Sequence, residues 1–260
     1  MDALIGHSGF VGGTLRRQRG FDALYRSTDI ETMAGRSFDT IVCAGISATK
    51  WQANRDPDAD RAAIERLWSV LDRVDCARFV LISTVDVFAD PDGVDEADAP
   101  DAVQPYGRHR LEAEIRARER FAGTVVVRLP GLVGPGLRKN ALFDLAHRHR
   151  LEHLDPRARF QFYPMVNLGH DLLAVLESGL DTVHLTAAPL PLGAIARDAF
   201  AIELEVPETL VDAPVPRYDL RSRHAARLGG DDGYTYSARE SMLAIRAYAQ
   251  AVAHAADGGG

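Results

Sequence analysis

Near its start the chain reads Leu4-Ile5-Gly6-His7-Ser8-Gly9-Phe10-Val11-Gly12, three glycines spaced by three between an apolar run and a helix-forming segment. No other stretch narrows the available folds as much. Glycine at such places permits a tight turn, close packing of helix on strand, and close approach of backbone to a ligand. The helix that follows aims its first amides at whatever sits in the turn, a natural seat for a phosphate. Three glycines alone are weak evidence. Their position, after the first strand and before the first helix, sets them apart from a ligand-free glycine turn. A nucleophile elbow is excluded, because G-x-S-x-G needs glycine where Phe10 stands. Gly6, Ser8, Gly9, Phe10, Val11 and Gly12 are therefore candidate binders of a dinucleotide diphosphate.

The rest of the first half alternates in the same way. Strands are predicted at 3–5, 21–26, 38–44, 78–83 and 124–129, and helices at 10–18, 58–74 and 106–121. Near-continuous apolar strands separated by helices indicate a parallel sheet covered on both faces. The fold class is α/β, a Rossmann-type doubly wound parallel sheet with a small C-terminal substrate-binding lobe. The second half is less regular, with Pro/Gly-rich loops and one more strand near 182–186. The expectation is a single domain over 1–260, the lobe drawn mainly from 131–180 and 190–248, and a frayed Ala/Gly-rich tail over 249–260.

Composition excludes several alternatives. A chain of 260 residues with a net charge of −7 lacks the basic footprint of a nucleic-acid binder. No run of 18 apolar residues exists for a membrane span. Strand-like sequence from Asp2 leaves no room for a secretory leader, so a reducing cytoplasmic setting is expected. Cys43 and Cys76 lack zinc-site spacing and read as buried thiols. Of the 30 basic residues only Lys50 and Lys139 are lysine, which singles both out against a strong drift toward arginine.

The second strand usually ends in a carboxylate that reads the ribose 2′-hydroxyl of NAD. Here it ends Tyr25-Arg26-Ser27-Thr28, with no acid before Asp29. A guanidinium beside hydroxyls suits a 2′-phosphate. The expected cofactor is NADP, read by Arg26 and Ser27, with NAD left open and a solvated Arg26 as the plainer alternative.

Four motifs now stand in register: Gly6-x-x-Gly9-x-x-Gly12, Ser83-Thr84-Val85-Asp86-Val87-Phe88 at a strand end, Tyr106-Gly107-Arg108-His109-Arg110 opening a helix, and 127–136 (Val-Arg-Leu-Pro-Gly-Leu-Val-Gly-Pro-Gly). Together they resemble the extended short-chain dehydrogenases/reductases of the NAD-dependent epimerase/dehydratase group, over roughly residues 2–190. Ser83-Thr84 with Phe88 looks most like the dTDP-4-dehydrorhamnose reductase-type branch. The resemblance implies that Thr84 orients a substrate carbonyl or hydroxyl and that Tyr106 passes the proton. It also implies that a residue four positions after the tyrosine holds the nicotinamide ribose and lowers the phenol's pKa. That residue is lysine in the family and Arg110 here. Arginine keeps the charge and its donors, but it cannot release a proton, and the exchange is not conservative at a tight site. Three readings stay open: Arg110 substitutes for the lysine, Lys50 or another group assists, or catalysis is lost and the protein only binds nucleotide.

The remaining candidates are placed by their loops. Ala44 and Gly45 follow the third strand and would let backbone approach the cofactor. Lys50, with Arg138, Lys139 and Asn140 beyond the Gly-Pro-Gly turn, could hold an anionic, nucleotide-sugar-like substrate; solvated loop residues are the plainer reading. Trp51 is expected to be a packing anchor and His109 to lie on the helix surface. His147, His149 and His153 lack a metal-binding pattern, and no metal is expected. The partner is a small-molecule substrate, with neither nucleic acid nor membrane, and a homodimer stays open. An NAD(P)-dependent oxidoreductase or epimerase acting on a carbonyl or hydroxyl is expected; the rival is a catalytically silent NAD(P)-binding protein with a regulatory or assembly role.

Overall fold

The computed structural model describes residues 1–257. In chain order the strands are β1 (Asp2–Ile5), β2 (Ala23–Tyr25), β3 (Ser37–Cys43), β4 (Asp75–Thr84), β5 (Asp92–Val94), β6 (Thr124–Leu129), β7 (Gly131–Val133), β8 (Arg159–Phe160), β9 (Phe162–Pro164), β10 (Thr182–His184), β11 (Leu190–Pro191) and β12 (Asp219–Leu220). The helices are α1 (Phe10–Gln18), α2 (Lys50–Arg55), α3 (Pro57–Leu71), α4 (Pro105–Arg120), α5 (Ala141–His147), α6 (Leu168–Ser178), α7 (Leu192–Phe200) and α8 (Ala238–Asp257). No helix among the described residues is long and apolar enough to cross a membrane.

The chain divides into two compact units. The first comprises 1–90, 96–129 and 167–184. It holds a six-stranded sheet in the order β10-β6-β4-β3-β1-β2, every adjacent pair parallel. This is the Rossmann-like α/β fold that the strand–helix alternation predicted. The order reverses at β1, which pairs with β2 on one side and β3 on the other. Ligands of open parallel sheets bind outside the carboxyl ends of the strands at such a reversal. The turn after β1 and the loop after β3 meet there.

The core beneath the sheet is set by apolar strands and one helix stripe. Ile41, Phe79, Leu81, Trp68, Leu71 and Phe121 are buried together. The rings of Phe79 and Phe121 stack with centroids 4.5 Å apart. α3 covers the helix expected at 58–74, and a short helix that was not expected, α2, precedes it. α2 ends at Arg55 and α3 begins at Pro57, with the Asp56 side chain accepting from the Ala59 amide. Proline at the first helical position costs no hydrogen bond, because that amide has no partner within the helix.

The second unit comprises 91–95, 130–166 and 185–260. It contains two-stranded pairings of β11 with β8, β12 with β5 and β7 with β9, together with α5, α7 and α8. Residues 167–180, expected in the lobe, belong instead to the first unit. There α6 packs against α1, and the Gly169 amide donates to Gln18 Oε1 at 2.7 Å. The tail expected to fray from Ala249 continues α8 to Asp257. Alanine is the best helix former, and buried Ile245 and Tyr248 anchor the helix upstream. The last three residues of that expectation lie outside the described residues.

Candidate functional site

The turn after β1 is built as its glycines require. Gly6 has φ +85°, and a Cβ there would fall 2.3 Å from the Ala44 carbonyl oxygen. A Cβ on Gly12 would fall 2.2 Å from the Gly6 carbonyl oxygen. These two glycines are demanded by the chain's own packing. Gly9 is different: its Cβ would meet only the Gly6 oxygen, at 3.4 Å. Gly9 is the N-cap of nine-residue α1, no side chain caps that end, and no acid stands in the first turn. Its bare, exposed backbone leaves the helix start open to an anion. Ser8 is exposed, and Phe10 and Val11 are partly buried beside it. Ala44 and Gly45 line the facing loop. A dinucleotide diphosphate fits this cradle.

At the end of β2, Arg26 is exposed and its Nε lies 3.6 Å from Asp29 Oδ2, while Asp29 Oδ1 accepts from the Arg26 amide at 2.7 Å. The carboxylate expected to be too late in sequence is thus folded back onto Arg26. Ser27 is exposed beside it.

The second cluster forms where β4 ends and α4 begins. β4 lies two strands from β1, about 10 Å across the sheet. Thr84 closes β4, and its Oγ1 accepts from the Asp86 amide at 3.2 Å. Tyr106 sits in the first turn of α4, buried, with the Thr84 hydroxyl among the groups that act on its phenol. Burial pushes the phenol's pKa up, and the Asp86 charge adds to this. The charges of Arg110 and Lys50 and the Thr84 hydroxyl oppose it without overcoming it. The phenol therefore keeps its proton at neutral pH.

Arg110, one turn along α4, is only 3% exposed. Its guanidinium carbon lies 3.9 Å from the Tyr106 ring centroid. Its nitrogens donate to both oxygens of Asp60, at 2.5 and 2.9 Å, to the Tyr106 carbonyl at 3.2 Å, and to the Ser47 carbonyl. Nε is buried without a partner. His109, expected on the helix surface, is buried, its Nδ1 2.7 Å from Asp60 Oδ2. A carboxylate can only accept, so Nδ1 carries the proton. Burial raises the pKa of Asp60, but bonds from Arg110 and His109 outweigh that and hold its carboxyl below the usual range.

Lys50 opens α2, and its Nζ donates to Asp86 Oδ1 at 2.6 Å. Next to it Trp51, expected to be a packing anchor, is 62% exposed and carries the Arg55 guanidinium over its ring. The break between α2 and α3 turns that face of the short helix outward.

The end of β4 is held by a buried network. Ser83 Oγ donates to Glu114 Oε1 at 2.5 Å, Arg128 grips both oxygens of Glu114, and Arg128 Nη1 lies 3.2 Å from His184 Nε2. These four groups come from β4, α4, β6 and β10 and fix where Thr84 stands.

Arg138, Lys139 and Asn140 lie in the second unit. Arg138 and Lys139 are exposed. Asn140 caps α5: its Oδ1 accepts from the Leu142 and Phe143 amides, and its Nδ2 donates to the Leu132 carbonyl at 2.9 Å. It does so at φ 127°, a conformation rarely taken without glycine. Gln161, between β8 and β9, is committed to the backbone of Ala187 and Leu220.

Sequence reasoning brought Thr84, Tyr106 and Arg110 forward, and the structure gathers them with Lys50. It missed Asp60, which pairs with a residue 50 positions away and has no local signal. It undervalued Asp86, whose signal was its place two residues after Thr84.

A glycine-lined seat for a dinucleotide at the sheet reversal, with a tyrosine–threonine pair two strands away, defines a nicotinamide-dependent enzyme class. The chain belongs to the NAD dependent epimerase/dehydratase family, matched over residues 21–154, a span that begins after the glycine turn. No curated protein matches it. Among solved structures it is similar to a dTDP-4-dehydrorhamnose reductase from Clostridium acetobutylicum, at 18% identity and TM-score 0.70 over 97% of this chain and 99% of that one. It is also similar to a UDP-glucose 4-epimerase from Thermotoga maritima with UDP-glucose bound (13%, TM-score 0.72, 96% and 98%). A third is RMD from Pseudomonas aeruginosa in complex with NADPH (17%, TM-score 0.70, 96% and 99%).

Proposed function

We propose that the protein is an NADP(H)-dependent reductase of a carbonyl on a small anionic substrate of the nucleotide-sugar kind, working in the cytoplasm. The observation that carries this reading is the buried phenol of Tyr106 beside Thr84, its pKa pushed up by burial so that it keeps its proton. A carbonyl that gains a hydride becomes an alkoxide and needs a proton, and a protonated phenol is placed to give one. An epimerase would need the same phenol to accept a proton first. The bound dinucleotide supplies the hydride. Gly6, Ser8, Gly9, Phe10, Val11 and Gly12 seat its diphosphate, with Ala44 and Gly45 opposite. Arg26 and Ser27 read the 2′-phosphate, for which Arg26 must leave Asp29. Thr84 orients the substrate oxygen toward Tyr106.

The test is cofactor oxidation with NADPH against a panel of nucleotide-linked keto sugars. Tyr106→Phe should lower turnover roughly 100- to 10,000-fold while leaving NADPH affinity unchanged. Turnover that survives this substitution would remove Tyr106 from the reaction. Tighter binding of NADH than of NADPH in a fluorescence titration would overturn the cofactor choice.

A second reading has its own observation. Arg110, the expected ribose clamp, spends its donors on Asp60, Ser47 and the Tyr106 carbonyl. A protein that binds the dinucleotide without turning it over would have no need of that clamp. NADPH binding with no reduction of any keto sugar, by the native protein or by Arg110→Lys, would establish it.

A further inference from the structure

Two cations flank Tyr106, and they differ in what they can do. Arg110 lies on the ring face, bound on several sides and paired with Asp60. It cannot lose a proton and has little room to move. Lys50 comes from a different helix, and its side chain is 43% exposed.

The framework around Lys50 is tied to Tyr106 directly. Asn54 Oδ1 accepts from the Tyr106 backbone N–H at 2.9 Å. Positions 50 and 54 share one face of α2. One short helix thus holds the backbone of Tyr106 with one side chain and reaches the Asp86 carboxylate with the other. Asp86 Oδ2 in turn lies 3.4 Å from Thr84 Oγ1, a hydroxyl that acts on the phenol. A Cβ on Gly107 would fall 1.9 Å from the Asp86 carbonyl oxygen, so α4 rests directly on the turn that carries Asp86.

We propose that Lys50 and Asp86 are positioning residues for proton transfer at Tyr106, with Lys50 supplying from α2 the responsive cation that Arg110, committed to Asp60, does not supply. The proposal rests on the reading of Tyr106 as proton donor. Composition supports it independently. Lys50 is one of only two lysines in a chain that otherwise uses arginine, and an arginine would serve a plain ion pair with Asp86 equally well. The groups facing the phenol are Arg110, backed by Asp60 and His109, then Thr84 and Asp86 at the end of β4, and Lys50 from α2. Among them Lys50 and Asp86 act on the phenol with opposite sign.

That opposition is the test. The protein is labelled with 2,3,5-trifluorotyrosine, whose acidic phenol titrates while the fold is intact, and the Tyr106 fluorine signal is assigned by its loss in Tyr106→Phe. Lys50→Met should raise the Tyr106 midpoint, and Asp86→Asn should lower it, each by about one pH unit. The double variant should fall between them. A purely structural ion pair is broken alike by both substitutions and would move the midpoint the same way in each. Shifts of the same sign, or no shift in either, overturn the proposal. If one of these variants fails to fold, Lys50→Gln or Asp86→Ser provides the same opposition. The titration uses neither cofactor nor substrate. Opposite shifts in a protein that reduces nothing would defeat only the reductase reading, and an active reductase with an unmoved midpoint would defeat only this assignment.

Discussion

Asp60 with Arg110 and Asp86 with Lys50 are both acid–base pairs beside one phenol, yet they are built to opposite ends. The first is buried on both sides, carries two hydrogen bonds between the partners, and recruits His109 as a third member. The second is half-exposed at the lysine, whose Nζ donates to one oxygen of Asp86. A charge removed from water must be matched or it costs several kcal/mol, whereas an exposed pair gains little from its Coulomb energy. The buried pair is therefore bound up with the fold, and the exposed pair is available to the chemistry.

The largest effect should come from Asp60→Ala. It strands the Arg110 guanidinium in the interior, and urea unfolding should show a loss of about 3–5 kcal/mol. A loss below 1 kcal/mol would erase the distinction between the two pairs. Arg110→Lys should come next, at about 1–3 kcal/mol, because an ammonium cannot span both oxygens of Asp60 and leaves acceptors unsatisfied. Its turnover sharpens the comparison further. A rise would mean that the native site is impaired by Arg110, and a collapse would mean that the site is built around it.

Acid titration separates the pairs in another way. The carboxyl of Asp60 is held below its ordinary range in the fold. Its contribution is therefore complete above the unfolded value, about 3.9, and is lost as pH falls through the lower folded value. Asp60→Asn should remove that component, so that stability falls less steeply below about pH 4. An unchanged slope would show that Asp60 is not a source of the acid lability. The smallest effect belongs to Lys50→Met, with under about 1 kcal/mol lost in the same urea experiment. A larger loss would make the Lys50–Asp86 pair a structural element.

Much of this could be read in the linear chain. The strand at 124–129 stands at its expected bounds, because Thr-Val-Val-Val-Arg-Leu is apolar enough for a strand buried on both faces. The tyrosine helix begins one residue early, at Pro105, where proline suits a first turn. His109 shows the limit. Helix periodicity placed it away from Tyr106, and that is correct, but α3 covers the face it turns to. Trp51 fails the opposite way, since its size suggested burial and a short helix left it outside. Arg26 and Asp29 show a third kind of limit, because a turn brought together an acid and a base that the strand end alone set apart.

Local chemistry in the chain determined the parallel sheet, the glycine turn after its first strand, the family resemblance and the identity of the threonine and tyrosine. These follow from periodicity, from the steric freedom of glycine and from fixed spacing, all of which act between near neighbours. The tertiary structure alone decided which carboxylate meets which cation. Asp60 and Arg110 lie 50 residues apart, and Lys50 and Asp86 lie 36 apart. Electrostatic pairing depends on distance through space, and only the packing of α2 and α3 against α4 sets those distances.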